Sequence, residues 1–334
     1  MKLGSFLPRS GALGPLRWAM RTLRHEILGF RFDYPIETVA GAGARDSLHY
    51  YVYSDRLFFD AVTLDEQGIP LPRYRSIGDA RNPAFVAWYG LVMLERALRG
   101  LDENGHAAFF RQVDWLVANA VHRDDGAAVW HYNFDWREGH CELRAPWICG
   151  MAQGLAISVL VRAYRMTGQP SLLDLARAAT LVFDKGIEDG GVRTFEDCHA
   201  VYEEYPAYPL ARVLDGFLFV LLGLWDLAVE TGDERVRGLF TDGMAGLRHT
   251  LDFWDYRGRW SWYGAHGYLC PPQYNTLNAA LLRSLGDIAG APALRERADG
   301  WHPRRRGLLA RLEIFTVFVV TKNLSRLRHR TWRR

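Results

Sequence analysis

The sequence predicts a mainly α protein: an incomplete (α/α) toroid, or barrel, of helical hairpins, with short β-strands in the loops and a small N-terminal extension. Three observations predict it. From Asn82 onward, apolar residues recur at helical spacing in one segment after another. Proline opens and glycine closes these segments: Pro83, Pro146, Pro170 and Pro209 stand at or near starts, and Gly100, Gly168 and Gly232 follow ends. The connections carry short β-prone, aromatic pieces. Antiparallel hairpins of this kind close into a ring whose rim loops form a cleft.

Taken in order, residues 1–31 read as a basic amphipathic helix. Leu13, Leu16, Met20, Leu23, Ile27 and Leu28 fall near helical spacing with Arg17, Arg21 and Arg24 between them. Residues 1–47 form this helix and a linker. Residues 32–79 read as irregular, with a β-prone piece at 48–53 and a turn at 68–72. Pro83 then opens a helix through Phe85, Trp88, Leu91, Val92 and Leu94. Further helices are expected at about 106–120, 147–167, 170–184, 209–230, 233–252 and 274–289. Residues 48–302 make one (α/α) domain, and 303–334 a basic C-terminal tail.

The chain has 334 residues, 49% of them hydrophobic, enough to bury a sizeable core. Its 13% aromatic content leans toward sugar binding, because ring faces stack on C–H faces. Charge is unevenly spread. Residues 301–334 carry ten Lys/Arg against Glu313, and residues 1–31 carry six against Glu26. With a chain total of +3, the body between them is left at net −11. Basic ends with interspersed apolar residues suit an anionic membrane surface. Nucleic acid is set aside as a partner, since no helix-turn-helix, RNP or zinc-finger pattern accompanies the charge. No segment reaches the ~18 apolar residues a bilayer span needs, and Ile314–Val320 falls far short. No secretory signal is evident, and Cys141, Cys149, Cys198 and Cys270 form no C-x-x-C pair. A reduced cytoplasmic protein, peripheral on the inner membrane through its basic ends, is the expectation.

Common catalytic signatures are absent: no G-x-G-x-x-G before a helix, no P-loop, no G-x-S-x-G elbow. His140-Cys141 and Cys198-His199 match no standard zinc spacing, so no metal is assigned. The densest ionisable cluster is Tyr202-Glu203-Glu204-Tyr205-Pro206, just ahead of the apolar run from Val213 to Val229. Two readings fit it: acids at the positive end of a helix, or carboxyls tuned for proton transfer. Other aromatic loop positions run through Trp130–Phe134, Arg144–Trp147, Trp260–Tyr263 and Pro271–Asn275, all at helix boundaries.

Several ordered stretches resemble the glucuronyl C5-epimerase C-terminal domain. Pro146-Trp147 followed by Met151–Ser158 resembles its "PW…MAQGxAIS", and Tyr202–Pro206 matches "YEEYP". Val213–Phe217 is similar to "VLNGF", with Asp215 in place of Asn. Asn82-Pro83 through Trp88–Leu91 resembles "NP…QYGL", and Gly68–Leu71 the lead-in of bacterial members. The resemblance covers about residues 48–302 and implies conversion of D-glucuronate to L-iduronate residues within a polysaccharide. It implies no cofactor, because the substrate carboxylate is itself the electron sink. It implies Glu204 as an acid/base on one face of C5 and Tyr274 on the other, with Tyr205 and Tyr263 orienting the carboxylate. The same stretches put Tyr202, Glu203, Trp147 and Gln153 among substrate-binding candidates, with Arg144, His266 and Asn275. Two charged positions of the family are replaced. His266 stands where the animal enzymes have Arg, and Asn275-Thr276-Leu277-Asn278 stands for "H-x-x-H". Arg144 and Arg212 are candidate substitute cations. Implied partners are a uronate-containing bacterial polysaccharide, the membrane-bound glycan assembly machinery and, from the animal relatives, a second copy in a homodimer. A uronate lyase on the same fold and a non-catalytic glycan-binding protein are the alternatives.

Overall fold

A computed structural model describes residues 30–32, 34–54, 63–74, 76–302 and 307–329. Its helices are α1 (Pro83–Leu98), α2 (Gly105–Ala118), α3 (Gly150–Thr167), α4 (Pro170–Ala179), α5 (Leu214–Thr231), α6 (Glu234–Thr250), α7 (Pro272–Ile288), α8 (Pro292–Trp301) and α9 (Leu308–His329). Local chemistry explains their limits. Asn82 caps α1 by accepting from Phe85 N at 3.2 Å, with Pro83 in the first turn. Asp233 caps α6 in the same way, and Gly168 and Gly232 end α3 and α5 in the left-handed region. The seven expected helices are α1–α7. The largest displacement is at α5, where Arg212 sits at φ 51° and Val213 is extended, so the helix cannot begin before Leu214.

The helices pack as four antiparallel hairpins, α1–α2, α3–α4, α5–α6 and α7–α8. The first members contact one another in the order α1, α3, α5, α7 and form an inner row. This is the mainly helical, incomplete (α/α) toroid the periodicity predicts. Inner helices are apolar on nearly every side: α5 buries every residue from Leu214 to Leu224. The tightest crossing is α3 on α5. There a Cβ on Gly223 would lie 2.2 Å from the Gly154 carbonyl oxygen, and one on Gly154 would lie 2.7 Å from that of Phe219.

Connections from an inner to its outer helix are short, whereas those entering each inner helix carry an antiparallel hairpin. They are β3–β4 (Arg73–Tyr74, Gly78–Asp79) before α1 and β7–β8 (Trp136–Glu138, Cys141–Leu143) before α3. They continue with β9–β10 (Arg193–Glu196, His199–Tyr202) before α5 and β11–β12 (Asp255–Tyr256, Trp260–Ser261) before α7. Two further pairs, β1–β2 (Glu37–Thr38, Val52–Tyr53) and β5–β6 (Val121–His122, Ala128–Val129), complete the strands of the described residues. All inner-helix N-termini therefore lie at one rim, beside the hairpins.

The opposite ends are tied by residues 49–53. Arg162 of α3 and Asp226 of α5 form a fully buried ion pair at 2.6 Å. Tyr51 Oη donates to Asp226 at 2.7 Å and Arg162 donates to the His49 carbonyl at 2.8 Å. Glu95 of α1 accepts from Tyr50 N, and Ser284 of α7 donates to the Tyr51 carbonyl. The β-prone piece at 48–53 is thus mostly an irregular plug, with only Val52–Tyr53 paired as strand.

One outcome differs from the sequence reading, and another expectation falls outside the described residues. Residues 308–329, read as part of a basic tail, form α9, which buries Ile314 and Phe318 against Trp260, Leu269 and Cys270. The expected N-terminal amphipathic helix lies, except for Phe30 and Arg31, outside the described residues.

Removing one partner of the buried ion pair leaves the other charge without compensation. Asp226→Ala is expected to cost about 3–5 kcal/mol of stability, measured by urea unfolding. A loss within ordinary surface range would show that the pair does not tie α3 to α5.

Candidate active site

Each of the four hairpin-and-helix units delivers side chains to one cavity of about 220 Å³ at the hairpin rim. The β3–β4 unit contributes Tyr74, Asn82 and Phe85, and the β7–β8 unit Phe134, Trp136, Glu138, Trp147, Cys149 and Met151. Glu204, Tyr205 and Asp215 come from the β9–β10 unit, and Tyr263 and Tyr274 from the β11–β12 unit. Tyr132 forms the floor, stacked on Trp147 with ring centroids 4.0 Å apart. Its hydroxyl donates to the Asn82 cap at 2.8 Å, which joins the floor to the start of α1. Phe134, Trp136 and Tyr74 meet edge-on or tilted beside it, an aromatic wall suited to the C–H face of a sugar.

Glu204 is aimed inward by its neighbours. Glu203 turns the other way, held by Arg212 Nη1 at 3.1 Å, by the Arg212 backbone N–H at 3.1 Å and by Thr194 Oγ1 at 3.1 Å. Trp254 Nε1 fixes the Arg212 carbonyl at 2.8 Å. β10 ends at Tyr202 and the chain bends at Glu204 and Tyr205, so with Glu203 anchored on the other side both of these side chains face the cavity. The Glu204 carboxyl lies against the first turn of α5: a Cβ on Gly216 would come within 2.6 Å of Oε2. Oε2 is buried with no hydrogen-bond partner among the described residues.

Asp215, next to that glycine, faces the same space, and both carboxyls are only 5% exposed. Burial and then the Asp215 charge hold the Glu204 carboxyl well above the usual range, with the Tyr205 hydroxyl pulling the other way. Burial pushes Asp215 up to about 6, although its own and the Gly216 backbone N–H groups favour its charged form. Two buried carboxyls facing one space do not both ionise readily, which favours a state in which the pair keeps one proton between them. Burial also raises the Tyr205, Tyr263 and Tyr274 hydroxyls, and Glu204, Glu138 or Asp215 adds to each. All three are neutral hydroxyl donors in the resting protein.

Among the described residues that line the cavity there are three carboxyls and no Lys, Arg or His. The candidate cations are elsewhere. Arg144 is exposed and paired with Asp135 at 2.6 Å, and Arg212 is spent on Glu203 and Glu196. His266 is buried behind Tyr263, ring centroids 5.2 Å apart, and burial with His140 lowers it to about 4. It is therefore neutral and no substitute for an arginine.

Of the sequence candidates, the structure brings Glu204, Tyr205, Tyr263, Tyr274 and Trp147 together in the cavity. It does not bring Tyr202, Glu203, Arg144, His266, Asn275 or Gln153 there. Tyr202 donates to the Leu239 carbonyl at 2.8 Å and packs under α6. Gln153 bridges Trp130 N, Ala128 O and Ala179 O. Asn275 accepts from Ser261 N at 2.8 Å and donates to the Trp301 carbonyl, anchoring the turn that carries Tyr274. Sequence reasoning missed Asp215 and Glu138. Asp215 left a signal, an acid in the first turn of the most buried helix where the resembling motif has Asn; Glu138 left none.

Comparison with known proteins agrees with the motifs. The D-glucuronyl C5-epimerase C-terminus family matches residues 123–303. The chain belongs to this family. It is 30% identical to the D-glucuronyl C5-epimerase of Caenorhabditis elegans over 229 residues, covering 63% of this chain and 37% of that protein. It is 28% identical over 171 residues to an uncharacterized protein of Methanocaldococcus jannaschii, covering 50% of this chain and 54% of that protein. The chain thus spans between about a third and about half of the length of these relatives. Similar solved structures include the GH76 α-mannanase of Bacteroides thetaiotaomicron, with a TM-score of 0.48, 10% identity and coverage of 73% and 63%. The unsaturated glucuronyl hydrolase of Bacillus sp. GL1 gives 0.44, 16%, 65% and 60%.

Asp215 also makes a pH prediction. Its folded value of about 6 lies above that of an unfolded aspartate. Its contribution to stability is therefore complete below about pH 4 and lost as pH rises through about 6. Asp215→Asn lacks this loss, so its stability relative to wild type should rise by up to about 3 kcal/mol between those limits. Urea unfolding at both pH values measures the gap, and a constant gap would contradict the buried carboxyl pair.

Proposed function

We propose that this epimerase-family protein inverts C5 of D-glucuronate residues in a polysaccharide, giving L-iduronate, by removing a proton from one face and returning one to the other. The observation that carries the proposal is the convergence of Glu204, Asp215, Tyr205, Tyr263 and Tyr274 on one sugar-sized, aromatic-walled cavity.

The C5 hydrogen is α to the carboxylate, so its removal needs a base and a way to bear charge on the carboxylate oxygens. The Glu204–Asp215 pair, holding one proton and one negative charge, accepts the C5 proton and becomes neutral. Tyr205 and Tyr263 hydroxyls donate to the carboxylate as it gains enediolate character, where their hydrogen bonds are worth most. Tyr274 gives its proton to the opposite face of C5, because that carbon is a far stronger base than a phenolate. Proton return from the carboxyl pair to Tyr274 through solvent completes the cycle. No cofactor enters this reaction. A protonated Glu204 and the inner-helix N-termini offset the lack of a basic side chain among the described residues of the cavity.

The test is incubation with glucuronate-containing polymers in heavy water, read at C5 by NMR. Deuterium at C5 with L-ido product is expected, falling more than about 100-fold in Glu204→Gln and in Tyr274→Phe. Binding without exchange across the panel would reject catalysis in favour of a glycan-binding role. A new unsaturated chain end absorbing in the ultraviolet would reassign the same proton abstraction to β-elimination.

A further inference from the structure

Helix α9 lies beyond the region matched by the family, and it presents two unlike faces. The inner face buries Ile314, Phe318 and Ser325, the last donating to the His266 carbonyl at 2.7 Å. On the outer face Leu308, Leu309, Leu312, Val320, Leu324 and Leu327 are 50–85% exposed. At ~100° per residue these six fall within an arc of about 160°, opposite the buried residues. Thr316 is exposed between them, and Glu313, Asn323 and Arg326 fall within the same arc, partly buried. Six large apolar residues exposed along one side of a single helix are far from the scattered single apolar residues of an ordinary surface.

Charge decides among occupants. In sequence, Arg304, Arg305 and Arg306 precede the helix, and Arg326, Arg328, Arg330, Arg333 and Arg334 end or follow it, against the single acid Glu313. Glu313 is engaged by Tyr256, Arg257 and Arg259. A second copy laid on this face would bring arginine clusters against arginine clusters. The chain's own residues 1–31 are also basic, so they meet the same repulsion. An anionic lipid surface satisfies both features, taking the leucines into the acyl boundary and the arginines among its headgroups. No described helix is long and apolar enough to cross a membrane, so a helix lying in the interface is the fitting mode.

We propose that the outer face of α9 docks the protein on an anionic phospholipid bilayer, lying in the interface with its leucines immersed. The inner face of the same helix contributes Phe318 and Lys322 to a recess of about 280 Å³ that shares Tyr263 and Tyr274 with the cavity. Docking therefore puts the cavity about one helix diameter, ~10 Å, from the lipid headgroups, within reach of a glycan assembled on the membrane. That consequence rests on the proposed function; the docking does not.

The test is flotation of the full chain with phosphatidylcholine vesicles, with and without phosphatidylglycerol. Wild type is expected to float with the anionic vesicles only, and to be released by salt as the Debye length falls to about 3 Å. Leu312→Asp/Leu324→Asp should lower the floated fraction more than about tenfold, with the circular dichroism spectrum and Tm unchanged because both residues are exposed. A charge-reversal variant, Arg328→Glu/Arg330→Glu, should also lower it. The proposal is overturned if wild type stays with the soluble fraction, or if the leucine variant floats as well as wild type. It is equally overturned if ultracentrifugation finds a stable self-association that the leucine variant abolishes, since a second copy would then be the occupant. C5 exchange on a soluble polymer, measured in parallel, separates failure of docking from failure of the proposed chemistry.

Discussion

The geometry of this protein depends on the alignment of four inner helices, and that alignment is set far from the cavity. Glu95, Arg162, Asp226 and Ser284 each stand twelve residues after the first residue of their helix. At 1.5 Å per residue, each is ~18 Å from its N-terminus. All four grip the same short segment, residues 49–53: Arg162, paired with Asp226, holds the His49 carbonyl, Glu95 the Tyr50 N–H, Asp226 the Tyr51 hydroxyl and Ser284 the Tyr51 carbonyl. Equal spacing from a common anchor brings the four N-termini level at the other end, where the rim hairpins meet them. A buried ion pair is a costly way to join two helices, but its directional geometry fixes register in a way that leucine packing alone does not.

The level N-termini give the cavity its electrostatic character. Among the described residues its lining holds three carboxyls, several phenols and no basic side chain. Such a site is poorly disposed toward an anionic ligand while its acids are charged, and well disposed once one of them keeps a proton. Burial of the Glu204–Asp215 pair provides that condition, because the low-dielectric surroundings and the neighbouring carboxyl both disfavour double ionisation. In the proposed reaction, anion binding and proton transfer are then two aspects of one titration rather than tasks given to separate residues.

The motif strings were informative about the family and less so about roles. In Tyr202-Glu203-Glu204-Tyr205, neighbours in sequence part company in space: Tyr202 and Glu203 become structural, while Glu204 and Tyr205 face the cavity. The division follows from the end of β10 at Tyr202, from the bend at Glu204 and Tyr205, and from the left-handed turn at Arg212, which catches Glu203. Gln153 and Asn275 belong to equally recognisable stretches, yet each uses its amide to tie main-chain segments together. A recognisable string marks residues that the fold or the chemistry needs, and sequence alone does not separate the two demands. Asp215 shows the reverse case, a site residue visible in sequence only as a departure from a motif.

By itself the sequence determined the seven helices α1–α7, the Pro83 and Pro170 starts and the Gly168 and Gly232 ends among their boundaries, their assembly into hairpins and the family. These are matters of periodicity and local backbone preference, which act over a few residues. It missed α8, short and polar on its outward side, and read α9 as a tail because arginines mask its apolar period. Only tertiary structure decided which charged groups reach the cavity, since burial and pairing partners come from segments distant along the chain. His266 lost its charge to burial beside His140, and Arg212 was taken by Glu203. The meeting of Glu204 with Asp215 required the first turn of α5 to lie against the chain that leads out of β10. Local propensity specifies each of those pieces, and packing alone brings them together.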